Sequence, residues 1–272
     1  MRKLFFILLS FSLGSCQTQK TNSIQSPKNI YADFLDFNTY FVTRGSILIY
    51  DLNKNSYYSN DFEWAKKGRI PASTFKIPHS LIALELGIVE DENTVFKWDG
   101  EPRNFEIWQQ DMSFKQAFHY SCVPCYQEIA RKITAKRMNK FIDKYNYGTL
   151  VFDKENIDEF WLVGESKINQ FEQINFLRRL YHSQLPITKR TESIFKQMFI
   201  VESNINYILR GKTGLSVNEE KYNGWYVGYV EANNNVYFFA TNMSPVNKYD
   251  DTFNAKRKSY TIKALQQLGI LP

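Results

Sequence analysis

The sequence predicts an α+β fold, in which an antiparallel sheet is flanked by helices and a helical region is inserted between the two halves of the sheet. Two observations predict this arrangement: strand-like patterns lie near both ends of the chain, and the long middle segment has helical periodicity. The chain has 272 residues, of which 43% are hydrophobic, so it is long enough to bury one sizeable core. We therefore expect one folded domain.

The first half of the sheet is predicted as a hairpin. Residues 41–50 and 56–58 have the composition of strands, and the polar loop DLNKN joins them. From residue 73 to about residue 201 the pattern is mainly helical, and the first helix, expected to start at Ser73, is apolar around more than one face. This helix should be central and buried, with Pro78 inside it and beyond its first turn, where proline bends a helix or frees a carbonyl.

The second half of the sheet follows the helical region. Strands are predicted over residues 205–210, 222–231 and 236–243, and a turn of three asparagines joins the last two. An amphipathic helix over residues 252–268 ends the chain.

The N-terminus has the pattern of an export signal. Arg2 and Lys3 precede an apolar run over residues 4–13, and small residues lead to Cys16. This ending resembles a bacterial lipoprotein signal, in which Cys16 is lipidated; the alternative is an ordinary secretory signal. Either signal predicts export to the periplasm, and lipidation predicts that the lipid on Cys16 is the membrane contact. We divide the chain into a signal peptide, a polar tether and a single domain, over residues 1–15, 16–29 and 30–272.

Composition excludes some classes of partner. The formal net charge is +6 at pH 7, but Lys and Arg are scattered along the chain, so we expect no nucleic-acid partner. Cys122 and Cys125 have the spacing of a redox or metal pair, with His119 nearby, but the sequence context of a redox domain is missing. Two free, partly buried thiols are favoured, with a local disulfide as the alternative. No metal site is predicted.

Three separated motifs carry the chemistry: Ser73-Thr74-Phe75-Lys76, Ser121-Cys122-Val123 and Lys212-Thr213-Gly214. A serine hydroxyl needs a base within reach, and a lysine three residues later on a helix lies over the same face. The amine must be neutral to act, which requires burial or a nearby positive charge such as Lys212. The same spacing recurs at Ser193 and Lys196, which we interpret as a decoy because the other two motifs have no counterpart beside it.

These motifs, together with Tyr147-Gly148, Phe160-Trp161-Leu162 and Gly224-Trp225-Tyr226-Val227-Gly228, resemble the class D β-lactamases. The resemblance extends from about Ile30 to the C-terminus. It implies the β-lactamase/transpeptidase fold with a cleft between the sheet and the helical region. It also implies hydrolysis of a small β-lactam substrate through a serine acyl-enzyme, and resistance to such antibiotics.

The resemblance assigns roles residue by residue. Ser73 is the nucleophile, Lys76 the general base after reaction with CO₂ to a carbamate, Ser121 a proton shuttle, and Trp161 the hydrogen-bond partner of the carbamate. CO₂ or bicarbonate is the one cofactor implied. The remaining site residues are Lys212 for electrostatics, Leu215 for an oxyanion-binding N–H, and Val123, Thr213, Gly214 and Arg257 for substrate binding.

One position departs from the family pattern. Thr149 follows Tyr147-Gly148 where the family usually has Asn, so a polar contact of that side chain is in doubt. Two other functions share parts of the site: a β-lactam sensor or penicillin-binding domain that is acylated without turnover, and a lipoprotein with a relic site that is never acylated. The substrate spectrum and the oligomeric state stay open.

Overall fold

The strands near both ends of the sequence form one mixed sheet. The computed structural model describes residues 26–34, 43–218, 221–246 and 252–272. The predicted signal peptide, Cys16 and most of the tether lie outside these residues. Within the described ranges the strands are β1 Lys28–Tyr31, β2 Thr43–Asp51, β3 Ser56–Ser59, β4 Val95–Phe96, β5 Met112–Ser113, β6 Ile200–Ser203, β7 Tyr207–Asn218, β8 Lys221–Ala232 and β9 Asn235–Pro245.

Seven of these strands form the main sheet in the order β1-β3-β2-β9-β8-β7-β6, while β4 and β5 form a separate pair. Neighbours in the main sheet are antiparallel except β1 and β3, which run parallel. The predicted hairpin is β2 and β3. Lys28 and Asn29, which the sequence assigned to the tether, already pair with β3.

The edge strand β6 is short. It pairs with β7 only at Ile208, Leu209 and Arg210, so in the described part of the chain no strand covers the outer side of residues 211–218. On the inner side, β7 pairs with β8 along its whole length.

The helices fill the middle of the sequence, as predicted, and one closes the chain. Their bounds are α1 Phe62–Ala65, α2 Lys76–Glu85, α3 Phe114–His119, α4 Val123–Ile133, α5 Ala135–Tyr145, α6 Gln170–Tyr181, α7 Lys189–Met198 and α8 Thr252–Gln267. Local sequence sets several starts: Ser113 with Gln116, and Asn169 with Glu172, form reciprocal capping pairs at the starts of α3 and α6. No helix among the described residues is long and apolar enough to span a membrane.

The start of the buried helix differs from the prediction. Ser73 lies on a separate 3₁₀ turn, Ala72–Phe75, and α2 begins only at Lys76. Pro78 is therefore the third residue of α2, in the first turn, where the backbone N–H has no partner within the helix and proline is tolerated. The helix itself is buried along nine of its ten residues, as predicted.

Side chains on the two faces of the sheet enter different cores. Leu48 and Val227 join the larger cluster, with residues of α2, α4 and α6, while their neighbours Ile49 and Tyr226 join a smaller cluster with α8. This alternation follows from the period of two in a strand. The predicted α+β architecture, with a helical region inserted between the sheet halves, is confirmed.

Candidate active site

Ser73 and Lys76 lie where the 3₁₀ turn passes into α2. They are three residues apart, and both are buried, Ser73 being 6% and Lys76 0% exposed. Such spacing places the two side chains on one face of the chain. The turn packs against β7, the strand that carries Lys212-Thr213-Gly214. The first and third predicted motifs are therefore brought together.

A line of buried hydrogen bonds holds the turn that carries Ser73. The Thr74 hydroxyl donates to the Pro71 carbonyl at 2.6 Å, and the side-chain amide of Gln173 donates to the Thr74 hydroxyl at 2.8 Å. The Tyr147 hydroxyl donates in turn to the Gln173 amide oxygen at 3.3 Å. The nucleophile thus lies on a turn whose position is fixed before any ligand binds, as a preorganised site requires.

The backbone just before Ser73 is strained, and hydrogen bonds from the sheet hold it in place. Ala72 has φ +50°, a left-handed conformation that costs a non-glycine residue about 1–3 kcal/mol. The indole N–H of Trp225 and the amide of Asn223 both donate to the Ile70 carbonyl at 2.8 Å. These contacts from β8 anchor the backbone two residues before Ala72.

The amine of Lys76 lies in an aromatic pocket. Its Nζ is 4.6 Å from the ring centre of Tyr126 and 6.0 Å from that of Trp161. Neither Lys76 Nζ nor Trp161 Nε1 has a hydrogen-bond partner among the described residues. Burial, and secondly the positive charge of Lys212, hold the Lys76 pKa well below its usual range. Both causes favour the neutral amine that the sequence analysis requires.

Ser121 and Lys212 are in direct contact. Lys212 Nζ donates a hydrogen bond to the Ser121 hydroxyl and a second one, of 3.1 Å, to the Thr213 carbonyl. Burial, and secondly the charge of Arg257, lower the Lys212 pKa to about 7. The second motif therefore joins the other two, and its hydroxyl has a donor whose charge changes near neutral pH.

The turn before α4 differs from one sequence-based interpretation. Cys122 is the N-cap of α4, and Ser121, which has φ +54°, precedes the cap. Cys122 and Cys125 form a disulfide, with Cα atoms 5.5 Å apart, so the favoured free thiols are wrong and the alternative is right. One turn of helix brings the two sulfurs close enough to bond. Val123 is the first residue of α4 and is half-buried.

Gly214 allows β7 to lie directly against the nucleophile turn. A Cβ at this position would be 3.2 Å from the Thr74 methyl and 3.3 Å from the Ala72 Cβ, closer than most packed side chains. Arg257 of α8 is buried and donates to the Gly214 carbonyl. Thr213 and Leu215, on either side of Gly214, are half-buried. Thr213, Gly214, Leu215 and Arg257, all assigned to the site from the sequence, therefore lie on or against the same stretch of β7.

Thr149 takes part through its main chain. Its N–H and C=O pair with Lys167 at 2.8 and 2.7 Å, and its side chain is exposed. Gly148 before it has φ +61°, and a Cβ there would meet the Lys167 carbonyl at 2.5 Å. The substitution of Asn by Thr therefore leaves the backbone of this loop paired.

The decoy lies elsewhere. Ser193 is exposed on α7, and Lys196 forms an ion pair with Glu192 at 2.6 Å. A charged, paired amine cannot accept a proton from a serine.

Sequence reasoning missed three residues around the site: His79, Tyr126 and Gln173. All three are buried, and the first two pack on each other at 5.3 Å between ring centres. Their position within helices is the one signal the sequence carries: His79 is three residues after Lys76 on α2. Among the described residues no group of three His, Cys, Asp or Glu side chains is placed to hold a metal ion.

The chain is similar to known proteins. Residues 42–263 match the family described as the penicillin binding protein transpeptidase domain. The chain is 43% identical to Beta-lactamase OXA-48 of Klebsiella pneumoniae over 85% of each protein. It is 40% identical to Beta-lactamase OXA-5 of Pseudomonas aeruginosa over 84% of this chain and 85% of that protein.

Solved structures agree. The class D β-lactamase YbXI from Nostoc superposes with a TM-score of 0.81 at 43% identity, covering 84% of this chain and 95% of that one. The class D β-lactamase from Sebaldella termitidis superposes with a TM-score of 0.86 at 35% identity, covering 91% and 100%.

Proposed function

This chain belongs to the class D β-lactamases, and on that premise we propose that it hydrolyses the amide bond of β-lactam antibiotics through an acyl-enzyme on Ser73, which confers resistance. One observation carries the proposal, namely that three features lie together in one site. They are a buried serine on a fixed turn, a buried lysine of lowered pKa, and the Ser121–Lys212 pair.

Acylation uses residues that are already in position. The basic group on Lys76 accepts the Ser73 hydroxyl proton while the Ser73 oxygen bonds to the lactam carbonyl carbon. The negative charge that develops on the carbonyl oxygen is stabilised by the main-chain N–H groups of Ser73 and Leu215. As the C–N bond of the ring breaks, Ser121 gives its proton to the leaving nitrogen and takes one from Lys212 or Lys76. No net proton is gained or lost.

Substrate binding falls to β7 and α8. Thr213 is half-buried beside Gly214, and Arg257 reaches the same strand from α8, so a hydroxyl and a guanidinium can hold the carboxylate of the antibiotic. We assign Val123, the first residue of α4, to the same binding region, to which Lys212 adds positive charge.

Hydrolysis of the acyl-enzyme needs a base for water. Lys76 Nζ and Trp161 Nε1 are both buried and have no hydrogen-bond partner among the residues that the structure describes, which fits a carbamate made by adding CO₂ to the neutral amine with release of one proton to solvent. When present, the carbamate would supply the carboxylate-like base. Tyr126 and Trp161 keep water away from the amine, which favours its neutral form.

We also propose that the protein is exported and held at a membrane by a lipid on Cys16. The support is the sequence of residues 1–16 alone. Labelling of cells with a palmitate analogue, followed by comparison of wild type with Cys16→Ser, tests it. Label in both proteins, or in neither, contradicts the anchor.

Intact-mass spectrometry after a pulse of penicillin tests the function. Hydrolysis through Ser73 predicts a transient increase in mass by one penicillin. A permanent adduct would indicate a sensor or penicillin-binding domain, and no adduct would indicate a relic site. The β-lactamase relatives favour the first outcome.

A further inference from the structure

His79 occupies an aromatic box beside Lys76. Its side chain is 0% exposed, and its ring centre lies 5.5 Å from that of Phe75, 5.3 Å from that of Tyr126 and 5.2 Å from that of Trp161. The Lys76 amine lies against two of these rings, Tyr126 and Trp161. The imidazole and the amine therefore share one pocket.

The nitrogen atoms of this pocket are buried and unbonded within the described part of the chain. Both ring nitrogens of His79, the Nζ of Lys76 and the Nε1 of Trp161 are buried, and none has a hydrogen bond among the described residues. The Tyr126 hydroxyl is bonded to Ser80 at 2.6 Å and makes no hydrogen bond to any of these nitrogens. Four buried nitrogen atoms with no hydrogen bond to a described residue are costly, and such atoms in a native protein call for an explanation such as a catalytic role or a bound group.

The kinds of atom decide which ligand would satisfy them. Burial, and secondly the charge of Lys76, hold the His79 pKa well below its usual range, so the imidazole is neutral and carries one N–H donor. The indole of Trp161 is a donor only. The pocket thus has two fixed N–H donors and needs acceptor oxygens, and a carbamate on Lys76 brings two.

We propose that His79 is a positioning residue for the carbamate of Lys76, to which it donates one imidazole N–H, with Trp161 as the second donor. This inference rests on the proposed function, because the carbamate belongs to it. In forming, the Lys76 nitrogen bonds to the carbon of CO₂, one C–O π pair becomes the oxygen charge, and the amine proton leaves to buffer. His79 stabilises the charged product over the free amine.

Two variants separate this role from packing. His79→Phe keeps a ring of similar size in the aromatic box but has no N–H, whereas His79→Asn is smaller and keeps an N–H donor. Carbon-13 NMR of enzyme titrated with labelled bicarbonate, with no antibiotic present, measures the affinity for CO₂. We expect the affinity for CO₂ to fall by roughly tenfold or more in His79→Phe and to change by at most about threefold in His79→Asn. A packing role predicts the reverse order.

Nitrogen-15 NMR of histidine-labelled protein gives a second readout. The chain has three histidines, and the signal missing from His79→Phe identifies the one of interest. Bicarbonate should shift the His79 N–H signal in wild type and leave it unmoved in Lys76→Ala. Thermal unfolding of each variant confirms that it is folded.

The outcomes distinguish the two proposals. Equal affinity for CO₂ in wild type and His79→Phe overturns the role of His79 while leaving β-lactam hydrolysis intact. Fully active wild type without a carbamate signal also overturns it, because its target is then missing. Folded wild type that shows no hydrolysis overturns the proposed function itself.

Discussion

Lys212 of β7 donates a hydrogen bond to the hydroxyl of Ser121, in the turn before α4. This contact ties the sheet to the inserted helical region across the site. The contact also depends on pH, because the Lys212 pKa is about 7. Below that pH the Ser121 hydroxyl contacts a charged amine, and above it a neutral one.

Replacing Lys212 with methionine is expected to remove part of the pH dependence of stability. The Lys212 pKa is about 7 in the folded protein, whereas an exposed lysine titrates at about 10.4. Between these values the unfolded chain binds a proton that the folded chain does not, so the free energy of unfolding of wild type rises with pH. Urea unfolding in CO₂-free buffer should show wild type gaining stability relative to Lys212→Met from about pH 7 to about pH 10. Parallel curves would contradict the lowered pKa.

Removing the charge of Arg257 should raise the pKa of Lys212. Arg257 is the second cause of the lowering, after burial, so Arg257→Gln makes the charged amine less unfavourable. The pKa is measured by carbon-13 NMR of labelled lysine in free enzyme, with Lys212→Met to assign the signal. Lys258→Gln is the matched control, since it removes one charge from an exposed position next along α8. An equal shift in both variants would argue against a direct effect of Arg257.

Ser73→Ala should abolish both the penicillin adduct and turnover, because the hydroxyl forms the covalent bond. Ser193→Ala should leave both unchanged, since Ser193 is exposed on α7 and Lys196 is paired with Glu192. Stopped-flow hydrolysis and intact mass measure the two effects. Normal turnover by Ser73→Ala would contradict the assignment of Ser73 as the nucleophile.

The disulfide should matter more for stability than for catalysis. Replacing Cys122 and Cys125 together with serine opens a loop of a few residues, which is expected to cost about 2 kcal/mol of stability or less. Activity should stay within roughly tenfold, because neither sulfur takes part in the chemistry. Urea unfolding and initial rates check the two statements. A loss in rate of about 10²–10⁴ would point to a catalytic role for the pair.

Activity should depend on dissolved CO₂, and more strongly when Trp161 loses its N–H. Trp161→Phe keeps the aromatic wall but removes the donor at Nε1, so a higher bicarbonate concentration should be needed for half-maximal activity. Lys76→Ala should be inactive at every concentration. Rates measured in degassed buffer with added bicarbonate test this. Wild-type activity that never changes with bicarbonate would mean that unmodified Lys76, or another group, is the base.

Much of the fold and the site was predictable because the relevant signals are local. The alternation of a strand and the spacing of Ser73 and Lys76 are patterns of neighbouring residues, so they can be seen in the sequence. The order of the three motifs along the chain then assigns each motif to a predicted helix or strand. The 3₁₀ turn under Ser73 was not predictable, because it depends on Thr74 being held by Gln173 from a distant helix. The environment of His79 likewise comes from Tyr126 and Trp161, which only tertiary packing brings to it. The disulfide was undecided because spacing permits a bond without requiring it.

The shortness of β6 has a consequence for how resistance would change by mutation. Because pairing with β7 stops at Arg210, a ligand lying beside Ser73 can be bound by the main chain of residues 211–218 in place of a missing strand. Main-chain groups are the same whatever side chain a residue carries, so affinity gained along this edge should survive most point substitutions there. Insertions between α7 and Ile200 that let β6 continue along β7 would instead cover the edge, and they would exclude substrate while every catalytic side chain stayed in place.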